Sequence, residues 1–449
     1  MIESICSTIQ RSRVPPIPKD IFVLGKIKAL VSGEFKKLRI ARTFKPKLYD
    51  IAEYVYPVLY ALSSSLSIHQ ACEELNDHFS ALAERMTGCS IKRYADGVRR
   101  RRMIPHQTSV DRFLNRMGER DAQQFFRNIL AAVNSKIRNK EISTSGVKFL
   151  ADNTKYPYYG AMKTDTEIGA QGLPGTRRCR MFQGHSVYGC GLHLFTQFNV
   201  IKKGQYRAAP IFESVQWLRW QGFQLSYALV DREFYRASLI RDLKRLRLPV
   251  IIPVKKFRRV RLEMKEFLRK HRPLVDQYLF TQSSNQYPKQ RSAMVNLVFI
   301  GRSGESAHGV RDRYYTNKIL INDMIKQMAG FFTTLKPWKN VKSFARFLTR
   351  TYKQRWNIET GFRELNSTHP PFRNRKPAKQ CSQMYLKAII YNNWQLWRKR
   401  ELRNAVSFSD GGKVLYLRLY NAAVKNLIDG HIDEKLKMVL KDKKEVYFA

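Results

Sequence analysis

Two apolar runs in this chain stop on an aspartate. Val147-Lys148-Phe149-Leu150-Ala151 leads into Asp152, and Leu225-Ser226-Tyr227-Ala228-Leu229-Val230 leads into Asp231. Short runs of this kind between polar segments read as buried strands. An unpaired charge at the end of such a strand is costly, so each aspartate needs something to compensate it. A third acid sits in an apparent helix, Tyr352-Lys353-Gln354-Arg355-Trp356-Asn357-Ile358-Glu359. With about 3.6 residues per turn, positions 352, 355 and 359 fall on one face of that helix. A fold for this chain must therefore bring two strand-borne aspartates and one helix-borne glutamate into a compensated arrangement. Carboxylate oxygens in that arrangement suit hard divalent cations.

Charge says what such a site would act on. The 449 residues carry 82 Lys+Arg against 36 Asp+Glu, a formal net charge of +46 spread along the whole chain. A field of that sign favours a polyanion, because neutralising phosphates releases counterions. Hydrophobic content is 43%, so the chain is not a disordered basic tail. Its 6 Trp, 22 Tyr and 26 Phe also separate it from short, Trp-poor ribosomal-type proteins. Nucleic acid is the expected partner, and the three acids read as a metal site working on its phosphate backbone.

Six cysteines (Cys6, Cys72, Cys89, Cys179, Cys190 and Cys381) are scattered without a Cys-x-x-Cys pair, which suits a reducing compartment. Cys179, His185, Cys190 and His193 offer zinc-binding side chains, but their spacing fits no standard zinc pattern, and buried Cys and His are common in strands. Met1 to Arg13 lacks the apolar centre of a signal peptide, and no run of about 18 apolar residues occurs. The expectation is a cytoplasmic, nucleoid-associated protein with no membrane partner.

Residues 1 to 48 combine Pro15, Pro16 and Pro18 with a basic run from Lys36 to Lys47, and read as an arm or loosely packed lead-in. From Tyr49 to Ile137 the pattern is helical, one helix starting at Asp50 and another capped by Ser67. The basic run Arg99 to Arg102 precedes a capped helix from Thr108 with Arg112 and Arg116 on one side. This reads either as a helix-turn-helix DNA reader or as a solvated helical pair. Lys136 to Gly146 reads as a linker. Strands then follow at 186–191, 193–202 and 250–254, with helices over 211–220 and 234–246, an alternation that predicts an α/β sheet. Alternating residues from Gln277 to Leu320 predict a small β-rich insertion. Helix resumes near Lys342 and runs past Glu359, and a second helix from Met384 to Arg398 carries Tyr391, Trp394 and Trp397 as core aromatics.

The acids and their surroundings together resemble the insertion-sequence transposases of the DDE type. Tyr352, Arg355 and Glu359 fit three positions of the Tyr-x2-Arg-x3-Glu-x6-Lys signature of one group. Asp152-Asn153-Thr154 and Asp231-Arg232-Glu233-Phe234-Tyr235 resemble that family's first and second acid blocks. Arg313-Tyr314-Tyr315-Thr316-Asn317 and Tyr391-Asn392-Asn393-Trp394 resemble blocks flanking the third. The resemblance runs from about 145 to 400. In two places the chain departs from the pattern: Asn366 stands where the signature has Lys, with Arg363 one turn after Glu359 as a substitute, and Glu233 stands where Gly is commoner.

The resemblance implies a ribonuclease-H-like α/β catalytic core over 145–256 and 330–400, interrupted by the β-rich insertion at 257–329. A helical DNA-binding region at 1–140 would precede it and a helical tail at 401–449 would follow. Asp152, Asp231 and Glu359 would be the catalytic acids and hold two Mg2+ (or Mn2+) ions per site. Tyr352, Arg355 and Arg363 would contact DNA near the scissile bond, and Arg112 and Arg116 would contact it further away. An ion pair with a nearby acid is the alternative for Arg355. Trp356 and Trp338 read as core packing ahead of base stacking. The implied function is cut-and-paste transposition: binding terminal inverted repeats of double-stranded DNA as a homodimer, cleaving, and joining the ends to target DNA. The alternatives are a metal-dependent nuclease without strand transfer and an inactive, transposase-derived DNA-binding protein.

Overall fold

The computed structural model describes residues 31–37, 51–87, 105–142, 146–159, 168–169, 179–202, 205, 208–270, 274–284, 287–301, 321–368, 376–402, 420–421, 424–425 and 428. Among the described residues, a short helical stretch at 31–36 is followed by helices α1 (Ile51–Ser64), α2 (Ile68–Thr87), α3 (Gln107–Arg116) and α4 (Glu119–Glu141). A capping box starts α2. Ser67 Oγ accepts the Gln70 N–H at 3.1 Å, and Gln70 Oε1 accepts the Ser67 N–H at 3.1 Å. The cap of α3 is His106, two residues ahead of Thr108.

The linker expected from Lys136 is instead the end of α4. Ile137 and Ile142 are buried while Asn139 is exposed, the pattern of a docked helix. Val31 and Phe35 lie in a helical turn and are also buried, with the Phe35 ring 5.9 Å from Phe113. The supposed arm is anchored at that point. The proline-rich lead-in, most of the Lys36 to Lys47 run and Arg99 to Arg102 lie outside the described residues, as do Arg313 to Asn317 and most of the tail.

Nine strands form one sheet: β1 (Val147–Pro157), β2 (Ile168–Gly169), β3 (Cys179–Gly189), β4 (Leu192–Val200), β5 (Leu225–Val230), β6 (Val250–Pro253), β7 (Leu274–Ser284), β8 (Tyr287–Gly301) and β9 (Met328–Thr333). Their order is β2-β3-β1-β5-β6-β9-β8-β7, with β4 on β3. β1, β5 and β6 run parallel, and every other pairing is antiparallel. Asp152 does not end its strand, because β1 stays paired with β3 as far as Pro157 opposite Cys179. The residues predicted as a separate insertion contribute β7 and β8, which extend the same sheet through β9.

Further helices among the described residues are α5 (Ala209–Trp220), α6 (Ala237–Arg245), α7 (Arg258–Lys270), α8 (Ile321–Gln327), α9 (Val341–Lys353), α10 (Trp356–Thr368) and α11 (Pro377–Leu402). A single 3₁₀ turn, Arg232–Phe234, precedes α6, so the helix predicted from Phe234 begins three residues later. Among the described residues no helix is long and apolar enough to cross a membrane.

Helices α4 and α11 cover the outer edge of β4, where unpaired backbone groups would otherwise be buried without partners. Asn392 Oδ1 accepts the Phe195 N–H at 2.9 Å, and its amide donates to Phe195 O and to Asn134 Oδ1, each at 2.7 Å. Three residues along, Gln123 and the Tyr385 hydroxyl donate to Phe198 O. Tyr391, Trp394 and Trp397 are core residues, as predicted.

Helix α10 lies close against this part of the sheet because two glycines make room for it. A Cβ at Gly361 would come 2.8 Å from His193 Cε1 and 3.0 Å from the Phe195 ring. On the sheet side, a Cβ at Gly184 would come 2.4 Å from Phe362 Cζ. Gly184 is the partner of Asp152 in the β1–β3 ladder. Gly361→Ala is therefore expected to lower folding stability by about 1–3 kcal/mol through overpacking. Denaturant melts of the variant would read this, and an unchanged midpoint would contradict the close contact.

Candidate active site

Parallel pairing of β1 with β5 sets Ala151 beside Val230, so the next residues, Asp152 and Asp231, lie side by side where that pairing ends. Both carboxylates tie back to the backbone just after them. Asp152 Oδ1 accepts the Asn153 N–H at 2.8 Å, and Asp231 Oδ1 accepts the Arg232 N–H at 2.7 Å. The third acid, Glu359, lies in the first turn of α10.

Helix does not run unbroken through this third segment. α9 ends at Lys353 and α10 starts at Trp356. At the break, Gln354 O accepts the Asn357 side chain at 2.7 Å, and the Ile358 N–H turns to Arg355 O at 3.1 Å. The Asn357 backbone N–H also donates to Gln354 O, at 3.1 Å, so backbone and side chain of Asn357 together take the carbonyl that a continuous helix would give to Ile358. Tyr352, Arg355 and Glu359 still meet, through the turn rather than along one helix face.

Arg355 joins the acids. Its Nη1 donates to Asp152 Oδ2 at 3.0 Å, and its Nη2 donates to Glu359 Oε1. Only 7% of its side chain is exposed, against 15% for Asp152 and 48% for Glu359. The guanidinium carbon lies 5.4 Å from the Tyr352 ring centroid, and that ring packs 5.3 Å from Phe331. Arg355 Nε is buried and has no partner among the described residues.

Burial lifts the Asp152 carboxyl to about 6; Arg355 and the Asn153 N–H oppose the rise, while Asp231 and Glu359 add to it. Desolvation disfavours the Arg355 charge, but Tyr352 and the three acids outweigh it and hold the guanidinium more firmly protonated than usual. The site carries more negative charge than one arginine neutralises, and its donors are all carboxylate oxygens. That composition fits a hard divalent cation. With the guanidinium between Asp152 and Glu359, no three Asp, Glu, His or Cys side chains among the described residues converge closely enough to hold an ion.

A polar chain supports the first aspartate from beneath. Asn153 Nδ2 donates to Glu233 Oε2 at 2.9 Å, which ties the two aspartate-bearing segments together. Gln183 Nε2 reaches Asn153 Oδ1 at 3.4 Å and Gln183 Oε1 meets His185 Nε2 at 2.8 Å. Burial pushes His185 down to about 3, so it is a neutral core residue. His193 behaves likewise, its Nδ1 2.9 Å from the Tyr391 hydroxyl. Gln183 has no sequence signal beyond its place in a strand.

Arg363 is exposed on α10, one turn after Glu359, and donates to Thr360 Oγ1 at 3.3 Å; Asn366 is exposed further along. Arg112 and Arg116 are exposed on α3, which packs on α1, α2 and α11, away from the acids. The two tryptophans depart from the expected core packing. Trp356 is 60% exposed because the buried stripe of α10 is Ile358, Phe362 and Leu365. Trp338 is half exposed and covers Phe344 and Phe347 with one ring face.

Known proteins place these observations in context. A family model described as the transposase DDE domain matches residues 165–393, a span that includes Asp231 and Glu359 and begins after Asp152. No curated protein matches. A cryo-electron-microscopy structure of a piggyBac transposase synaptic complex with hairpin DNA aligns over 92% of this chain and 80% of that one, at 11% identity and a TM-score of 0.43.

Asp152 ties stability to pH. Its folded-state pKa lies above the usual carboxylate value of about 3.9, so the native state binds the proton more tightly. Stability is then lost as pH rises from about 4 through about 6. Asp152→Asn should raise the metal-free stability at pH 7.5 on the order of 1–3 kcal/mol. Thermal melts across pH should show the gain vanishing below about pH 4. A gain independent of pH would contradict the burial argument.

Proposed function

The chain belongs to the transposase DDE-domain family, and from that membership we propose that it is a DNA transposase of an insertion sequence. It binds terminal inverted repeats, cuts both ends of its element and joins the freed 3′-hydroxyls to target DNA, working as a homodimer on double-stranded DNA at the nucleoid. The observation that carries this reading is Asp152 and Asp231 side by side where the β1–β5 pairing ends, with Glu359 joined to Asp152 through Arg355. The order β4-β3-β1-β5-β6, three antiparallel strands followed by two parallel ones, supports a ribonuclease-H-like core.

Asp152, Asp231 and Glu359 would hold two Mg2+ or Mn2+ ions, which when bound supply activation of a water or 3′-hydroxyl and stabilisation of the leaving oxygen. The protein's own part is positional. Asn153 and Glu233 fix the two strand-borne acids relative to each other, and α10 brings in the third. Arg355 balances the acids through its bonds to Asp152 and Glu359 and would grip a phosphate oxygen near the scissile bond. Tyr352 walls off one side of the guanidinium, which strengthens its hydrogen bonds. Arg363 meets the backbone beyond the scissile phosphate, and Arg112 and Arg116 contact DNA from α3.

Purified protein should cut DNA flanking its own gene at inverted repeats when given Mg2+ or Mn2+. Asp152→Asn, Asp231→Asn and Glu359→Gln should each reduce cleavage by at least about a hundredfold, with end binding almost unchanged. Joined products distinguish transposition from simple nuclease action. Retained cleavage in any of the three variants would remove that residue from the site.

A further inference from the structure

The acids leave a second charged feature unused. A pocket of about 650 Å³ opens between α7 and α8, lined by Lys256, Arg258, Arg261, Lys265 and Lys326 together with Leu262, Asn322 and Ile325. Five cations and no acid line it. α7 carries six basic residues against Glu263 and Glu266, and on α8 only Lys326 has an acid partner, Asp323 at 2.8 Å. Lys256 has a structural task, since its Nζ donates to Ile325 O at 2.7 Å and Lys326 O at 2.9 Å and so fixes the end of α8. Arg258, Arg261 and Lys265 stand at i, i+3 and i+7 and form a stripe about 10 Å long on one face of α7.

Topology sets this pocket at the same sheet edge as the acids. β5 and β6 are parallel, so Asp231 after β5 and Lys256 after β6 leave the sheet on the same side. β9 runs antiparallel to β6, so α8, which leads directly into β9, sits on that side too. Aromatic contacts bridge the gap. Tyr235, four residues after Asp231, packs 5.5 Å from Phe257, which is 49% exposed at the start of α7.

We propose that the pocket docks the phosphodiester backbone of the DNA that continues past the three acids. This inference rests on the transposase reading above. At about 3.4 Å of axis per phosphate on one strand, a stripe of this length faces about three phosphates. Arginine predominates in it, which suits paired contacts to phosphate oxygens. The Phe257 ring offers an apolar surface between the two sites.

The test uses the full-length protein and a duplex carrying its own inverted repeat. Binding is measured over a series of salt concentrations for wild type and Arg258→Ala/Arg261→Ala/Lys265→Ala. The control is Arg241→Ala/Lys244→Ala/Arg245→Ala, equal in charge change but on α6, whose end leads to the opposite sheet edge. Thermal melts confirm that each variant folds. The pocket variant should bind about tenfold more weakly near 0.15 M salt and lose about two to three units of salt slope, while the control changes less than twofold. Equal effects in the two variants, or an unchanged pocket variant, overturn the proposal. It also falls if ATP stabilises wild type but not the pocket variant while DNA binding stays unchanged, since the pocket then serves a small phosphate ligand. If wild type does not bind DNA at all, the transposase reading itself fails.

Discussion

The seating of α10 on the sheet is the contact on which the rest of the site depends. Gly361 leaves room for His193 and Phe195, and Gly184 leaves room for the Phe362 ring. Neither neighbour can give easily, because both rings of the first pair are buried and His193 is held by Tyr391. The helix therefore sits closer to the strands than side chains on both surfaces would permit. Only at that depth can Arg355, in the turn just before α10, reach Asp152 on the strand paired with Gly184. Core packing sets the geometry, and electrostatics then acts within it.

Within that geometry the acids repel one another and one arginine partly offsets them. A buried arginine bridging two carboxylates contributes little to stability by itself, because desolvation cancels much of the attraction. Here it only partly compensates the acids: burial together with Asp231 and Glu359 still leaves Asp152 holding its proton to an unusually high pH, against the pull of Arg355. A site that costs the fold free energy in this way marks function more than stability. Cations continue along the same edge into the α7–α8 pocket, so positive charge is concentrated on the side of the sheet where Asp231 lies.

Much of this was legible in the sequence, for physical reasons that differ by element. Strands β5 and β6 are short apolar runs with clear ends, and α11 carries a continuous aromatic core stripe. Ser67 announced a helix start, because the capping chemistry is local. Tertiary effects were not legible. The break at Gln354 is a run of tighter backbone bonds, from the Gln354 N–H on Thr351 O to the Ile358 N–H on Arg355 O, with the Asn357 side chain added to Gln354 O. β9 is six residues long with a glycine inside it, and its pairing partners are distant in sequence. Missing that strand makes β7 and β8 look like a separate insertion when they extend the main sheet. Trp356 reads as core by composition, yet its angular position on α10 faces away from Ile358, Phe362 and Leu365. The acids were found because an aspartate after a buried run is conspicuous, whereas Gln183 and the pocket depend on elements that meet only in three dimensions.

The central claim is that Asp152, Asp231 and Glu359 together bind a divalent cation. Replacing that cation with Fe2+ and adding ascorbate and peroxide would cut the polypeptide wherever the metal sits, and mass spectrometry would locate the cuts. The account predicts cuts clustered around residues 152, 231 and 359, competed away by Mg2+ and absent in Asp231→Asn. Cuts elsewhere in the chain, or a pattern indifferent to that substitution, would contradict it.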